Sequence, residues 1–245
     1  RVQQIAKLDN VDLFLQSEMT VDDIIGNDFH HVLIATGSHW RGDGVGRWHT
    51  HPIEIAENTD VLNPDSIMAG ARPRGNRVVV FDDDHYYLGG VVAELLAAEG
   101  FDVTLLTPAP HVSQWTVNTL EVQRIRARII RAGITVHTNT ALTRIGADGV
   151  GTACVFTGDE GRIEADSVVL VTARLPENAL YDALMAREAN WESAGIRSVR
   201  AVGDAWAPST IAAAVYAGHR YAEELDDPSP PPARREVAQL AREAP

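Results

Sequence analysis

The spacing of apolar and polar positions changes character at residue 76. Before it, mostly polar sequence carries a weak amphipathic opening (Val2, Ile5, Leu8), an alternation at Val11, Leu13 and Leu15, and one continuous apolar run, HVLIATG at 31–37. A run of that kind predicts a strand buried on both faces of a parallel sheet. Thr20 followed by VDDII predicts a short capped helix. Residues 38–75, rich in Gly, His, Pro, Asn and Asp, predict a long surface loop with one helical turn near 64–68.

From Asn76 the pattern becomes a full βαβ rhythm. It predicts a strand at 77–81, a helix at 88–99 stopped by Gly100, a strand at 102–106, a longer helix at 118–132 stopped by Gly133, and a strand at 134–137. Three alternating segments at 141–145, 152–156 and 161–164 predict a β-meander. A buried strand at 167–172 and a helix at 179–194 lead to SVRAVGDAWAPSTIAAAVYAGHRYAEEL at 198–225. There a short strand through Val199, Ala201 and Val202 stops at Gly203 and Asp204, and an alanine-rich helix follows that Pro208 is suited to open. Beyond Leu225 the chain predicts a Pro-rich tether and a weak terminal helix.

The strand tip at Gly203-Asp204 is the first candidate site. A carboxylate there can accept hydrogen bonds from a pair of sugar hydroxyls, and a helix start beyond it offers backbone N–H groups and a positive dipole end to a phosphate. The tip of the earlier strand, Thr36-Gly37, is the second. The alternative for both is that they end buried strands and complete a sheet edge.

Bulk composition narrows the chemistry. The 245 residues carry 21 basic and 34 acidic side chains, a formal charge of −13, which argues against a nucleic-acid partner. Lys7 is the only lysine, so neither a Schiff-base lysine nor a P-loop lysine is available where those chemistries need one. The single cysteine, Cys154, lies in the apolar ACVF run and reads as a buried structural thiol; alone it supplies neither a redox disulfide nor an iron–sulfur cluster. With no 18-residue apolar run and no signal-peptide pattern, no membrane partner is expected and a cytoplasmic location is the default. A chain opening on Arg1 in what reads as mid-domain sequence suggests a fragment, a processed product or one subunit of something larger.

Histidines 39, 49 and 51 lack the spacing of a metal site, and the acids at 82, 83 and 84 sit on a strand whose successive side chains diverge, so no metal ligand is assigned. Tyr86 and Tyr87 read as packing residues ahead of the 88–99 helix, and Trp115, Trp191 and Trp206 as core or interface aromatics. A nicotinamide-cofactor site between Phe81 and that helix would want Gly-x-Gly-x-x-Gly. The turn instead reads DDDHYY, three carboxylates expected to repel a pyrophosphate at the mouth, and the next strand ends Leu106-Thr107-Pro108 without an acid for a ribose diol, so NAD(P) is not expected.

An apolar strand ending ATG, an inserted βαβ unit with a meander and a returning strand ending GD together resemble the two-dinucleotide-binding-domain flavoproteins. VLIATGSHWRGDG at 32–44, NRVVVFDDDHYYLGGVVAELLAAEGFDVTLLT at 76–107, SVVLVTARLPENALYDALMARE at 167–188 and VGDAWAPSTIAAAVYAGHR at 202–220 are most similar to the C-terminal half of the trimethylamine dehydrogenase family, with its dimethylamine and histamine dehydrogenase relatives. The resemblance implies an α/β fold of two Rossmann-like three-layer domains, the second inserted in the first, the outer one truncated at its N-terminus. It divides the chain into a first outer segment (1–75), an inner NAD(P)-binding-like domain with the meander (76–166), a return segment of the outer domain (167–225) and the Pro-rich tail (226–245).

The same resemblance implies an oxidoreductase acting on a small amine by oxidative demethylation or deamination. FMN and a four-iron four-sulfur cluster are expected in an N-terminal barrel outside this chain, and electrons are expected to pass to an electron-transferring flavoprotein. Thr36, Gly37, Gly203 and Asp204 match the family positions that face ADP, or the ADP part of FAD. No residue of the chain is assigned a catalytic role. The expected partners are the FMN and iron–sulfur barrel, as domain or subunit, and a second copy of the chain in a homo-oligomer. The alternatives are part of an NAD(P)H-dependent 2,4-dienoyl-CoA reductase-like enzyme, or a stand-alone adenine-nucleotide-binding subunit.

Overall fold

The computed structural model describes residues 2–5, 7–225 and 227. The predicted tether and terminal helix lie outside these residues, Asp227 apart. The fold is mixed α/β and divides into two compact units, one from the described parts of Arg1–Gly37 and Pro176–Pro245, the other from Ser38–Leu175.

The Ser38–Leu175 unit is built on a five-stranded parallel sheet in the order Val61–Leu62, Ser167–Val171, Arg77–Asp82, Asp102–Leu106, Thr135–His137. Its two central strands read as unbroken apolar runs because both faces are covered. Val78 and Val80 pack toward Leu96 and Ile129 of the helices Leu88–Ala98 and Val122–Arg131. Val79 and Phe81 pack toward Leu142, Ile145 and Val150 of an antiparallel layer formed by Thr140–Gly146, Gly149–Cys154 and Glu160–Ile163, with Glu54–Ile55 paired along its edge. Helices, parallel sheet and meander thus make three layers. Each fully buried Val, Leu or Phe between them contributes about 1.5–3 kcal/mol. At the opposite rim, Asp166 takes backbone N–H groups of Asn76 and Arg77 at 3.0 and 2.9 Å and the Arg77 guanidinium at 2.7 Å, which together hold its carboxyl well below the usual carboxylate range.

The other unit pairs His31–Ile34 in parallel with Ser198–Ala201 and packs Val32, Ile34 and Val199 against Ile24, Leu184 and Ile196. Its helix Val21–Gly26 starts in the predicted place. The Thr20 side chain accepts from the Asp23 N–H while Asp23 accepts from the Thr20 N–H, a reciprocal capping box.

The two compact units divide the chain at 37/38 and 175/176, with Val61–Leu62 and Ser167–Val171 completing the parallel sheet of the Ser38–Leu175 unit. Several expectations are corrected. The 31–37 strand stops at Ile34 and is not buried on both faces, since Leu33 is 39% exposed beside a single partner strand. The 38–75 segment contains the expected helix, Pro64–Met68, capped by Asn63, but also three short strands. The 118–132 helix is Val122–Arg131, preceded by a 3-10 turn at Gln114–Val117, because Leu120 adopts a left-handed φ of 60°. The 179–194 helix ends at Met185, and the Trp191 ring N–H reaches back to the Leu184 carbonyl. Thr210, not Pro208, opens the last helix, Ile211–Glu224, its side chain accepting from the Ala213 N–H. Cys154 is partly exposed rather than buried, and a hydrogen bond from Thr157, with the Thr157 and Phe156 backbone, lowers its thiol.

Candidate functional site

The outer unit gathers its four candidate residues by strand register. His31 pairs with Ser198 and Ile34 with Ala201, and the Val202 N–H donates to the Ile34 carbonyl at 2.9 Å, so Thr36-Gly37 and Gly203-Asp204 leave the carboxyl ends of neighbouring parallel strands. That is the edge of a parallel α/β sheet at which ligands bind. Gly37 has φ +87°, a conformation that favours glycine, and a Cβ built on it meets nothing within 4 Å. Gly203, at φ +59°, would bring a Cβ to 3.3 Å from that of Ala214, so it also lets the last helix approach the turn. Asp204 Oδ1 accepts from the Ser209 N–H at 3.0 Å, which orients the carboxylate across the connection to that helix. The Thr36 hydroxyl donates to the Glu177 carbonyl, and the Glu177 N–H donates to the Gly37 carbonyl at 2.9 Å, which fixes the first strand tip. An open glycine and an oriented carboxylate thus stand at one sheet edge.

Beside this edge, still within the outer unit, a cleft of about 720 Å³ runs between Ser198–Val202 and the last helix. Arg200, Arg220, Trp206 and Tyr221 line it, and none of the four candidates does. Arg220 is paired with Glu224 at 2.7 Å, and the Tyr221 hydroxyl is buried without a hydrogen-bond partner. Sequence reading passed over Arg200, Arg220 and Tyr221 and took Trp206 only as a core or interface aromatic. The signal it had was Arg200, a basic residue at an alternating position of an otherwise apolar strand.

The inner unit presents a different strand tip. The three acids expected to stand at a mouth and repel are mostly turned inward: Asp82 and Asp83 are 0% exposed. Asp82 Oδ1 accepts from the His85 N–H at 2.9 Å, while its Oδ2 has no partner. Burial raises the Asp82 carboxyl to about 6, against the lowering influence of the His85 backbone and charge. Asp83 Oδ2 accepts from the Trp48 N–H at 2.8 Å, and its Oδ1 lies 3.3 Å from His85 Nε2. Burial raises Asp84 too, opposed by the nearby charges of Arg174 and Arg47. His85 holds this turn in a left-handed conformation, φ 64°, with its carbonyl accepting from the Trp115 N–H at 2.9 Å.

Among the described residues no group of His, Cys, Asp and Glu is placed to hold a metal ion. His49 packs its ring 6.1 Å from Phe81, and His51 bonds Thr50 at 3.0 Å. Tyr86 meets Tyr87 edge to face; Trp115 and Trp206, expected in a core or interface, are 47% and 65% exposed, Arg47 lying over the first and Tyr181 edge-on to the second. No helix among the described residues is long and apolar enough to cross a membrane.

The family described as the OYE-like second alpha/beta domain matches residues 62–169, most of the inner unit. Dimethylamine dehydrogenase of Hyphomicrobium sp. (strain x) is 34% identical over 88% of the chain. The structure of histamine dehydrogenase from Rhizobium sp. 4-9 superposes with a TM-score of 0.92 at 46% identity over 98% of the chain. That of 6-hydroxypseudooxynicotine amine oxidase from Pseudomonas geniculata N1 gives 0.85 at 40% over 89%. The chain spans only about a third of these proteins, 32%, 38% and 32% of their respective lengths. Sequence and fold together make the chain homologous to the dimethylamine and histamine dehydrogenase family of trimethylamine dehydrogenase-like oxidoreductases.

Proposed function

We propose that the chain is the nucleotide-binding region of an FMN and iron–sulfur amine dehydrogenase. In this reading it consists of two dinucleotide-binding-type domains, one inserted in the other, with ADP held in the outer one. The observation that carries the reading is the convergence of Thr36, Gly37, Gly203 and Asp204 at one sheet edge, in a chain 46% identical to histamine dehydrogenase. Gly37 gives a pyrophosphate backbone-close access, and Asp204 accepts ribose hydroxyls. ADP is redox-inert and supplies no chemistry, so these residues bind and orient and none transfers a proton to substrate. Oxidation of a small amine belongs to FMN and the iron–sulfur cluster on a barrel outside this chain, with an electron-transferring flavoprotein as acceptor. The chain serves as scaffold and as a surface for assembly into a cytoplasmic homo-oligomer.

The test is release on denaturation. The native protein, unfolded in acid and analysed by chromatography, should yield one equivalent of ADP per chain and no flavin from this region. Asp204→Ala should weaken ADP binding at least tenfold. Stoichiometric FAD released from the isolated chain would overturn the ADP assignment, and unchanged ADP affinity in D204A would remove Asp204 from the site.

A further inference from the structure

The first turn of the Leu88–Ala98 helix carries two adjacent glycines, Gly89 and Gly90, neither at a left-handed φ. Glycine inside a helix costs about 1 kcal/mol relative to alanine, so two of them call for a reason in close approach. The structure supplies it. A Cβ on Gly89 would lie 2.5 Å from Asp82 Cγ and 2.8 Å from its Oδ2, and a Cβ on Gly90 would lie 3.3 Å from Ser113 Oγ. Asp82 ends the Arg77–Asp82 strand at the carboxyl edge of the parallel sheet, and its carboxylate packs directly on the start of the next helix. In a dinucleotide receptor the pyrophosphate sits at the start of this helix, where the dipole favours its charge, and a glycine at the helix start lets the helix pack closely on the end of the strand.

We infer that the Asp82 carboxylate is a built-in occupant of this seat, so that the inner unit keeps the cradle of a dinucleotide site and fills it with its own side chain. The occupant is anionic like the ligand it displaces. It is fully buried, with Oδ1 tied to the His85 N–H and Oδ2 unpartnered, and its Cβ, Cγ and Oδ2 together fill the space that Gly89 leaves. The Ser113 hydroxyl, also 0% exposed and without a partner, faces the same turn at Gly90. Asp83 closes the approach from the other side: it is tied to the Trp48 N–H, and a Cβ on Gly46 would fall 2.2 Å from its Oδ2, so the 46–48 segment lies tight against it. Exclusion by occupancy differs from repulsion by charge in a way that can be measured. Removing the bulk opens the seat, whereas removing only the charge leaves it full.

Pyrophosphate binding to the full chain, measured by calorimetry on wild type, Asp82→Gly, Asp82→Ser and Asp82→Asn, tests this. D82S retains an acceptor for the His85 N–H and so guards against loss of the turn. D82G and D82S should each bind one more equivalent of pyrophosphate than wild type, at least tenfold more tightly than any residual wild-type affinity in this unit, and D82N should bind no more than wild type. Folded D82G and D82S without the extra equivalent would overturn the inference, as would D82N gaining it equally. In parallel, hydrogen exchange of the wild-type protein in excess pyrophosphate should show no added protection across 82–90. Protection there would overturn the inference whether or not the variants fold.

Discussion

The two units end a parallel strand in opposite ways. In the outer unit the tip is Thr36-Gly37, where a glycine at φ +87° has open space on its Cβ side, and the neighbouring strand ends in an oriented Asp204. In the inner unit the tip is Asp82-Asp83, both wholly buried, hydrogen-bonded inward and pressed against glycines of the helix and loop they face. One sheet edge thus leaves a glycine open, and the other is closed by its own carboxylates. The cores differ as well. The inner sheet is packed on both faces by fully buried Val, Leu and Phe, whereas in the outer unit Ile211 and Trp206 are 84% and 65% exposed and the last helix buries no residue.

Phe81→Ala, at a side chain with no exposure in the inner core, should cost about 3–5 kcal/mol. Ile211→Ala in the outer unit should stay within about 0.5 kcal/mol. Urea unfolding of both variants measures the contrast, and comparable losses would break it.

A pH dependence follows next in size. Burial raises the Asp82 carboxyl from its ordinary 3.8 to about 6, so between those values the folded chain holds a proton that the unfolded chain has released. Its contribution to stability is therefore present below about pH 4, falls as the pH rises to about 6, and stays lost above that. Asp82→Asn removes the titration, so unfolding free energies of D82N relative to wild type should shift in favour of the variant by about 2–3 kcal/mol between pH 4 and pH 7. A flat difference would mean that Asp82 does not titrate there, with His85, Asp83 and Asp84 as the charged groups facing it.

Gly89→Ala should cost about 1–3 kcal/mol by forcing a methyl group onto Asp82. In an Asp82→Ala background the added cost should shrink, a coupling that a double-mutant cycle reads directly. Gly37→Ala, with open space but a left-handed backbone, should cost about 1–2 kcal/mol with no such coupling. The smallest expected effect is at the outer helix cap, where Thr20→Ala should lose about 1 kcal/mol along with the Thr20–Asp23 box.

Much of the inner unit was legible because period and burial agree. Strand 102–106 lies where its pattern put it, with Val103, Leu105 and Leu106 buried, and the 88–99 helix stops just before its Gly100 signal. The short strand Val61–Leu62 was not legible: two residues carry no period, and only pairing with Ser167–Val171 makes them a strand. The break at Leu120 was missed for a related reason, since a left-handed leucine leaves no local signature and the apolar period continues past it.

At the site, sequence located the turns but not the direction of their side chains. DDD reads as three charges facing solvent, whereas backbone N–H groups of His85 and Trp48, one of them 35 residues upstream of its acid, draw two of them inside. The glycines at 46 and 89 were the available signal, because each marks where a carboxylate comes to rest.

Crystals of the protein grown with ADP and NADH together test the contrast most directly. The account predicts one adenine nucleotide against Gly37 and Asp204, and Asp82 still packed on Gly89. Density for the NADH diphosphate between Asp82 and the start of the Leu88–Ala98 helix would contradict it.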